Sequence, residues 1–205
     1  MFEEKKDPPV NPRWNSEYEA GAHWEKGPSS QMKSFVAYLT PGCEVLDAGC
    51  GSGRDSLFLS TQGYNVSGID ISDVAIGKAV QRASEQKLPI KFVVGGLENL
   101  PYQDGEFDGA YSGYVLENTD LEKSIPEIAR VLKPGAIAYL VVFLSTQYED
   151  PSGSEFNTAV NQNHLHGLVS GQFDVLSEKV DEYTESDQHG EHKHIRDVLI
   201  LRRRE

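Results

Sequence analysis

Along this chain short apolar runs alternate with segments whose apolar residues recur every three or four positions. Five runs have the length and the Gly or Pro boundaries of strands: CEVLD at 43–47, YNVSGID at 64–70, IKFVV at 90–94, FDGAYS at 107–112 and AIAYLVVFLS at 136–145. The last is apolar throughout, as a strand covered on both faces must be. Met32, Phe35, Val36 and Leu39 follow the i, i+3, i+4, i+7 spacing of a helix that Pro41-Gly42 ends. Ile76, Val80 and Ala83 share one face of a second helix, capped by Ser72. Ile128, Ala129, Val131 and Leu132 mark a third. Pro126 would interrupt a helix begun at Thr119, so a fresh start capped by Ser124, with Pro126 in its first turn, is expected.

Strand and helix in alternation imply parallel pairing with right-handed crossovers. Residues 146–171 read as loop plus helix. The tail differs in kind. FDVLSEKVDEYTE at 173–185 and HKHIRDVLILRRR at 192–204 are joined by the polar SDQHGE, which leaves no room for a crossover helix. They are expected to pair antiparallel at an edge. The predicted architecture is α/β: a three-layer sandwich of five parallel strands plus a terminal hairpin. Residues 1–13 read as a poorly ordered leader, and Trp14 to Gly27 as a short helix and turn laying Trp14, Tyr18 and Trp24 over the main body. The expected division is a leader and cap at 1–27 and one domain at 28–205.

At 205 residues such a chain buries roughly 70% of its unfolded surface. The formal charge of −13 opposes steering toward phosphate backbones, so nucleic acid is not an expected partner. Cys43 and Cys50 have no CxxC spacing and read as reduced, structural thiols. No apolar run approaches the roughly 18 residues of a membrane span, and the first residues lack the apolar core of a signal peptide. A cytoplasmic protein without a membrane partner is the expectation; no oligomeric state follows from the sequence.

Chemistry concentrates between Cys43 and Asp70. The first strand ends on Asp47 and enters the glycine-rich turn AGCGSGR; the second ends on Asp70. Glycines let the backbone pass close to a ligand, and an acid about 20 residues on can hold both ribose hydroxyls. A dinucleotide lays its pyrophosphate on such a turn, and Asp47 would repel it. S-adenosylmethionine (SAM) carries no phosphate; it brings an amino group and a sulfonium, which a carboxylate attracts where water is excluded.

The phrases VLDAGCGSGRDSLFLS at 45–60, GYNVSGIDIS, LENLPYQDGEFDGAYS and RVLKPG together resemble the class I SAM-dependent methyltransferase superfamily, with the likeness running from about Trp24 to the C-terminus. The resemblance implies a Rossmann-like sheet of order 3-2-1-4-5-7-6 with strand seven antiparallel. It implies that Gly49, Cys50 and Gly51 hold the methionine end, Asp47 lies near its amino group, Asp70 grips the ribose and Ile71 lies against adenine. Many relatives have an aspartate for the adenine amino group where this chain has Gly96; Leu97 and Glu98 are left to pack on the ring and reach that group. Ser112 and Tyr114 fall on the ledge beside the reacting sulfur. Trp24 and Arg54 join the cofactor candidates, and Tyr114 and Glu117 are the candidate catalytic residues.

The implied activity is methyl transfer to a small-molecule acceptor. GSGRDSLFLS and HWEKGPSS are similar to the thiopurine and tellurite-resistance type, and LPYQDGEFD with RVLKPG to quinone methyltransferases; the motifs do not separate these. A module that holds SAM without turnover and a nicotinamide-dependent oxidoreductase are the rival readings. His189, His192 and His194 fall within six positions, with His164 and His166 upstream. Strand alternation puts His192 and His194 on one side, a spacing that also suits a solvated hairpin end, so no metal is predicted.

Overall fold

A computed structural model describes residues 11–21, 27–146, 160–187 and 190–205. The strands are β1 (Glu44–Ala48), β2 (Asn65–Asp70), β3 (Lys91–Val94), β4 (Phe107–Gly113), β5 (Leu132–Thr146), β6 (Phe173–Asp187) and β7 (Gly190–Arg203). They form one sheet of order β3-β2-β1-β4-β5-β7-β6. The first five run parallel, and β7 is antiparallel to both β5 and β6. Both the alternation of periods and the edge hairpin expected from the sequence are present. The hairpin extends beyond the predicted strands, with Asp187 paired to Gly190.

The helices are α1 (Pro12–Ala20), α2 (Ser30–Phe35), α3 (Arg54–Thr61), α4 (Asp73–Glu85), α5 (Leu121–Val131) and α6 (Gln162–Ser170). One face of the sheet packs Val45, Tyr111, Tyr139 and Val141 against Met32 and Phe35 of α2 and Leu59 of α3. The other packs Leu46, Ala110, Leu140 and Leu199 against Ile125 and Ile128 of α5 and Leu165 and Val169 of α6. Alternate residues of β1 and β5 thus feed opposite cores, which is why their apolar runs are unbroken.

One sequence expectation is corrected. α5 runs unbroken from Leu121 through Pro126, and Ser124 is a buried residue of its first turns, its N–H donating to the carbonyl of Asp120 at 2.8 Å. Pro126 removes one helical N–H, while Leu121, Ile125, Ile128 and Ala129 keep an apolar stripe against the sheet that outweighs the loss. The turn before it, Leu116–Asn118, is a separate 3-10 segment.

The segment α1 lies against the start of α4. Asn15 Nδ2 donates to Asp73 Oδ1 at 2.7 Å, and Ser72 Oγ donates to Asn15 Oδ1 at 2.7 Å. Lys78 Nζ donates to the carbonyl of Tyr18. Tyr18 packs on Ala75 and Val74 as the one buried side chain of α1.

Candidate functional site

The carboxyl ends of β1, β2 and β4 surround the glycine turn, the position at which open parallel sheets bind ligands. Gly49 and Gly51 have φ of +82° and +53°, the left-handed region. Space forbids a side chain at either as well. A Cβ on Gly49 would fall 2.2 Å from a methyl of Val115, and one on Gly51 would fall 2.3 Å from the hydroxyl of Tyr18. Tyr18 therefore reaches the turn across the chain, and Val115 closes on it from the β4 side.

Four backbone donors of this turn are already engaged. Gly49 N and Cys50 N both donate to the carbonyl of Ile69, at 2.8 and 2.9 Å, and Gly53 N donates to the carbonyl of Cys50 at 3.0 Å. Gly51 N donates to Asp70 Oδ2 at 2.9 Å. A phosphate-binding turn must aim free N–H groups at its anion. Here those at 49, 50, 51 and 53 point into the protein.

Three buried carboxylates stand around the same turn. Asp47 is 2% exposed and accepts from Ser56 Oγ at 2.5 Å. Burial pushes its carboxyl up to about 7, reinforced by Asp55 and Asp70 and opposed by Ser56 and Arg54. Asp70 is raised by burial against the lowering effect of the N–H groups of Ser72, Gly51 and Ile71. Its Oδ1 accepts from Ser72 N at 2.9 Å, which leaves carboxylate lone pairs for a further donor. Asp55 fixes the walls: Oδ1 accepts from Ser29 N at 2.8 Å at the start of α2, and Oδ2 from Arg54 Nη2 at 2.8 Å. Arg54 is thus paired first with its neighbour, and a second guanidinium, Arg82, donates to the carbonyl and hydroxyl of Ser52 on the turn at 3.2 and 2.6 Å. Three buried carboxylates outnumber the two guanidiniums beside the turn, and the residues present fit the amino and sulfonium groups of SAM.

Other sequence candidates fall as follows. Cys50 turns its thiol inward, where a Cβ on Gly68 would meet Sγ at 2.9 Å, so only its backbone faces the cleft. Ile71 is partly exposed just past β2. Leu97 is 3% exposed in the α5-side core, leaving little of its side chain for a ring. A Cβ on Gly96 would lie 2.6 Å from Glu98 Oε2, so Glu98 fills the space into which an aspartate at 96 would project. Ser112 is buried, and its Oγ lacks a hydrogen-bond partner. Trp24 lies outside the described residues.

Tyr114 and Glu117 share a connection but serve opposite faces. Tyr114 adopts φ of +62°, a strained value for a residue with a side chain. Its ring lies 4.6 Å from that of Phe143, and its hydroxyl accepts from Arg196 Nη1 at 2.7 Å on the α2 side. Arg196 is in turn ion-paired to Asp181. Glu117 lies instead in a cavity of about 670 Å³ between the 3-10 turn, α5 and the start of α6, with Leu116, Asp120, Leu121, Val160 and His164. Its Oε2 is buried without a hydrogen-bond partner. Burial pushes its carboxyl up to about 8, against the lowering effect of backbone hydrogen bonds at Glu117 and Phe143. Val115 against Gly49 and Asn15 against Ser72 carried no recognisable signal in the sequence.

The strand order 3-2-1-4-5-7-6 with an acid-ringed glycine turn is that of an open α/β domain whose crevice lies at the carboxyl ends of its parallel strands. Residues 46–140 match the family described as "Methyltransferase domain". The chain is 37% identical over 145 residues to a 2-phytyl-1,4-naphtoquinone methyltransferase of Nostoc, covering 68% of this chain and 61% of that one. It is 35% identical over 124 residues to a demethylmenaquinone methyltransferase of Symbiobacterium thermophilum, covering 57% and 48%. The chain therefore spans about half to three-fifths of the length of these curated relatives. Among solved structures, a SAM-dependent methyltransferase of Methanosarcina mazei superposes with a TM-score of 0.71 at 28% identity, over 82% of this chain and 96% of the other.

Proposed function

We propose that this protein transfers the methyl group of SAM to a small-molecule acceptor that loses a proton in the reaction, with Glu117 as the base. The observation that carries the reading is the buried, raised carboxylate of Glu117 with an unpartnered oxygen in a ligand-sized cavity just past β4. SAM, when bound, supplies an activated methyl group open to in-line displacement. The protein's own work is alignment and exclusion of water, which together supply on the order of 7 to 11 kcal/mol. In this reading Gly49, Cys50 and Gly51 line the methionine end by their backbone, and Asp47 and Arg54 meet its amino and carboxylate groups. Asp70 holds the ribose, Ile71 and Glu98 the adenine, and Ser112 and Val115 border the reacting centre. Tyr114 is reassigned from base to wall, because its hydroxyl is engaged by Arg196. Trp24 keeps its proposed place in the cap over the cofactor.

A thiol or chalcogenide acceptor needs little more than deprotonation by solvent. A quinol or phenol oxygen, or an acidic ring carbon, gains from a positioned base near pH 8. The relatives named for quinones make that class the first to assay. Against a nicotinamide oxidoreductase stand the internally bonded turn N–H groups and Asp47. The proposal extends to a single domain over residues 28–205 and to a cytoplasmic location without nucleic-acid partners. The free thiols of Cys43 and Cys50 and the charge of −13 support these two points. Among the described residues, no helix is long and apolar enough to cross a membrane. A labelled-methyl assay across quinols, phenols, amines and thiols tests the reading. Turnover of a proton-losing acceptor, reduced strongly in Glu117→Gln, is expected; transfer to thiols alone, unaffected by Glu117→Gln, would sink it, and so would SAM binding without transfer to any of them.

A further inference from the structure

The helix α6 turns Gln162 and His166, one helical turn apart and so on one side, toward the β6–β7 hairpin. On the hairpin, Glu178 pairs with Leu199 and Val180 with Asp197, which makes Glu178 and Asp197 diagonal neighbours on one face. The side chains converge. His166 Nε2 lies 3.1 Å from Glu178 Oε1 and 3.4 Å from Asp197 Oδ2, and ligand atoms from all three residues fall within 4.8 Å of one another. Gln162 Nε2 reaches the same two oxygens, at 2.9 and 3.3 Å.

Hydrogen bonding leaves one feature of this cluster unexplained. His166 Nε2 is buried between the two carboxylates. Asp197 is 0% exposed, with Oδ1 unpartnered. A buried carboxylate beside a second carboxylate calls for a positive charge. The spacing also has a meaning. Donors bound at about 2.0–2.2 Å to one ion lie roughly 3.0–3.5 Å from each other in tetrahedral or octahedral geometry.

We propose that His166, Glu178 and Asp197 form a binding site for a first-row divalent cation, zinc foremost, that joins α6 to the β6–β7 hairpin. One imidazole and two carboxylates suit such an ion, whose two positive charges balance the two carboxylates. Gln162 becomes a fourth donor by turning its amide over, which places Oε1 where Nε2 stands. The role is architectural. Asn161 and His164, at the start of α6, line the cavity that holds Glu117, so an ion fixing α6 to the hairpin fixes that wall. The proposal does not depend on the methyl-transfer reading.

The test uses the full chain, stripped with chelator and dialysed, then titrated with zinc chloride by calorimetry and with cobalt chloride by visible absorption. The expected result is one zinc per chain and a cobalt spectrum showing nitrogen and oxygen ligation. Both are expected to weaken at least about tenfold in His166→Ala and in Glu178→Gln. His164→Ala, which removes the pair with Glu122 and no member of the cluster, is expected to bind zinc as the parent does. Both test positions are partly exposed, and circular dichroism confirms that the variants fold. Equal zinc binding by parent and variants would mean an adventitious ion only, and no binding would mean that hydrogen bonds alone hold the three side chains together; either result overturns the proposal.

Discussion

Asp70 Oδ2 accepts the N–H of Gly51 at 2.9 Å, so the acid that ends β2 holds the glycine turn that follows β1. One carboxylate thus does two jobs. It closes off a donor that a phosphate would need, and it presents its remaining lone pairs to the cleft. Asp70→Ala is expected to weaken SAM by roughly 1 to 3 kcal/mol from lost hydrogen bonds and to lower the melting temperature. Calorimetry with SAM, beside a thermal melt, checks both; undiminished affinity would mean that the ribose lies elsewhere.

Asp47, with its carboxyl at about 7, predicts proton-linked binding. A cation beside it favours the ionised form, so SAM binding below pH 7 must expel a proton, and affinity is expected to fall as pH drops below that value. The sign for stability is opposite. The folded carboxyl is raised above its unfolded value of 3.8, so the ligand-free protein loses stability as pH rises between about 4 and 7. Titrations in two buffers of different ionisation enthalpy measure the released proton. Asp47→Asn is expected to abolish the release and to flatten the pH dependence of affinity.

Glu117 has a folded carboxyl near 8 against 4.5 unfolded. Between those values the folded state holds the extra proton, and stability declines with rising pH by at most about 1.4 kcal/mol per pH unit from this group. Glu117→Gln is therefore expected to stabilise the protein, increasingly from pH 5 to 8, while reducing turnover by about 10²- to 10⁴-fold if it is the general base. Denaturant melts across that range and initial rates check the pair of effects. A variant that loses stability and keeps its rate would contradict both.

Glu98 and Gly96 are coupled by space, since a Cβ at 96 meets Glu98 Oε2 at 2.6 Å. Gly96→Asp alone is expected to destabilise the protein by crowding two carboxylates, and Glu98→Ala alone to weaken SAM. The double variant restores one acid at the adenine edge. A double-mutant cycle should show coupling of about 0.5–3 kcal/mol; additive effects would mean that the two positions do not share a role.

Strand order and the edge hairpin were legible because they follow from apolar runs, loop lengths and the resemblance carried by the motifs. The continuity of α5 was not, because local proline chemistry at Pro126 is overridden by packing of Leu121, Ile125 and Ile128, which only the sheet reveals. Within the site, Asp47, Asp70 and the glycines announce themselves by type and spacing. Tyr114 does not: Arg196, 82 residues on, captures its hydroxyl. The His166, Glu178 and Asp197 cluster was equally hidden, since its members come from three elements and only strand register brings them together. Side-chain direction at the end of a strand depends on partners distant in sequence, and there single-sequence reasoning stops.

The central claim is that the crevice above the sheet is built for a positively charged nucleoside. The most direct measurement is a pair of calorimetric titrations of the intact chain at pH 7.5, one with SAM and one with NADH. One SAM per chain, with NADH showing no saturable binding, is the predicted result. Saturable NADH binding with SAM inert would contradict the account.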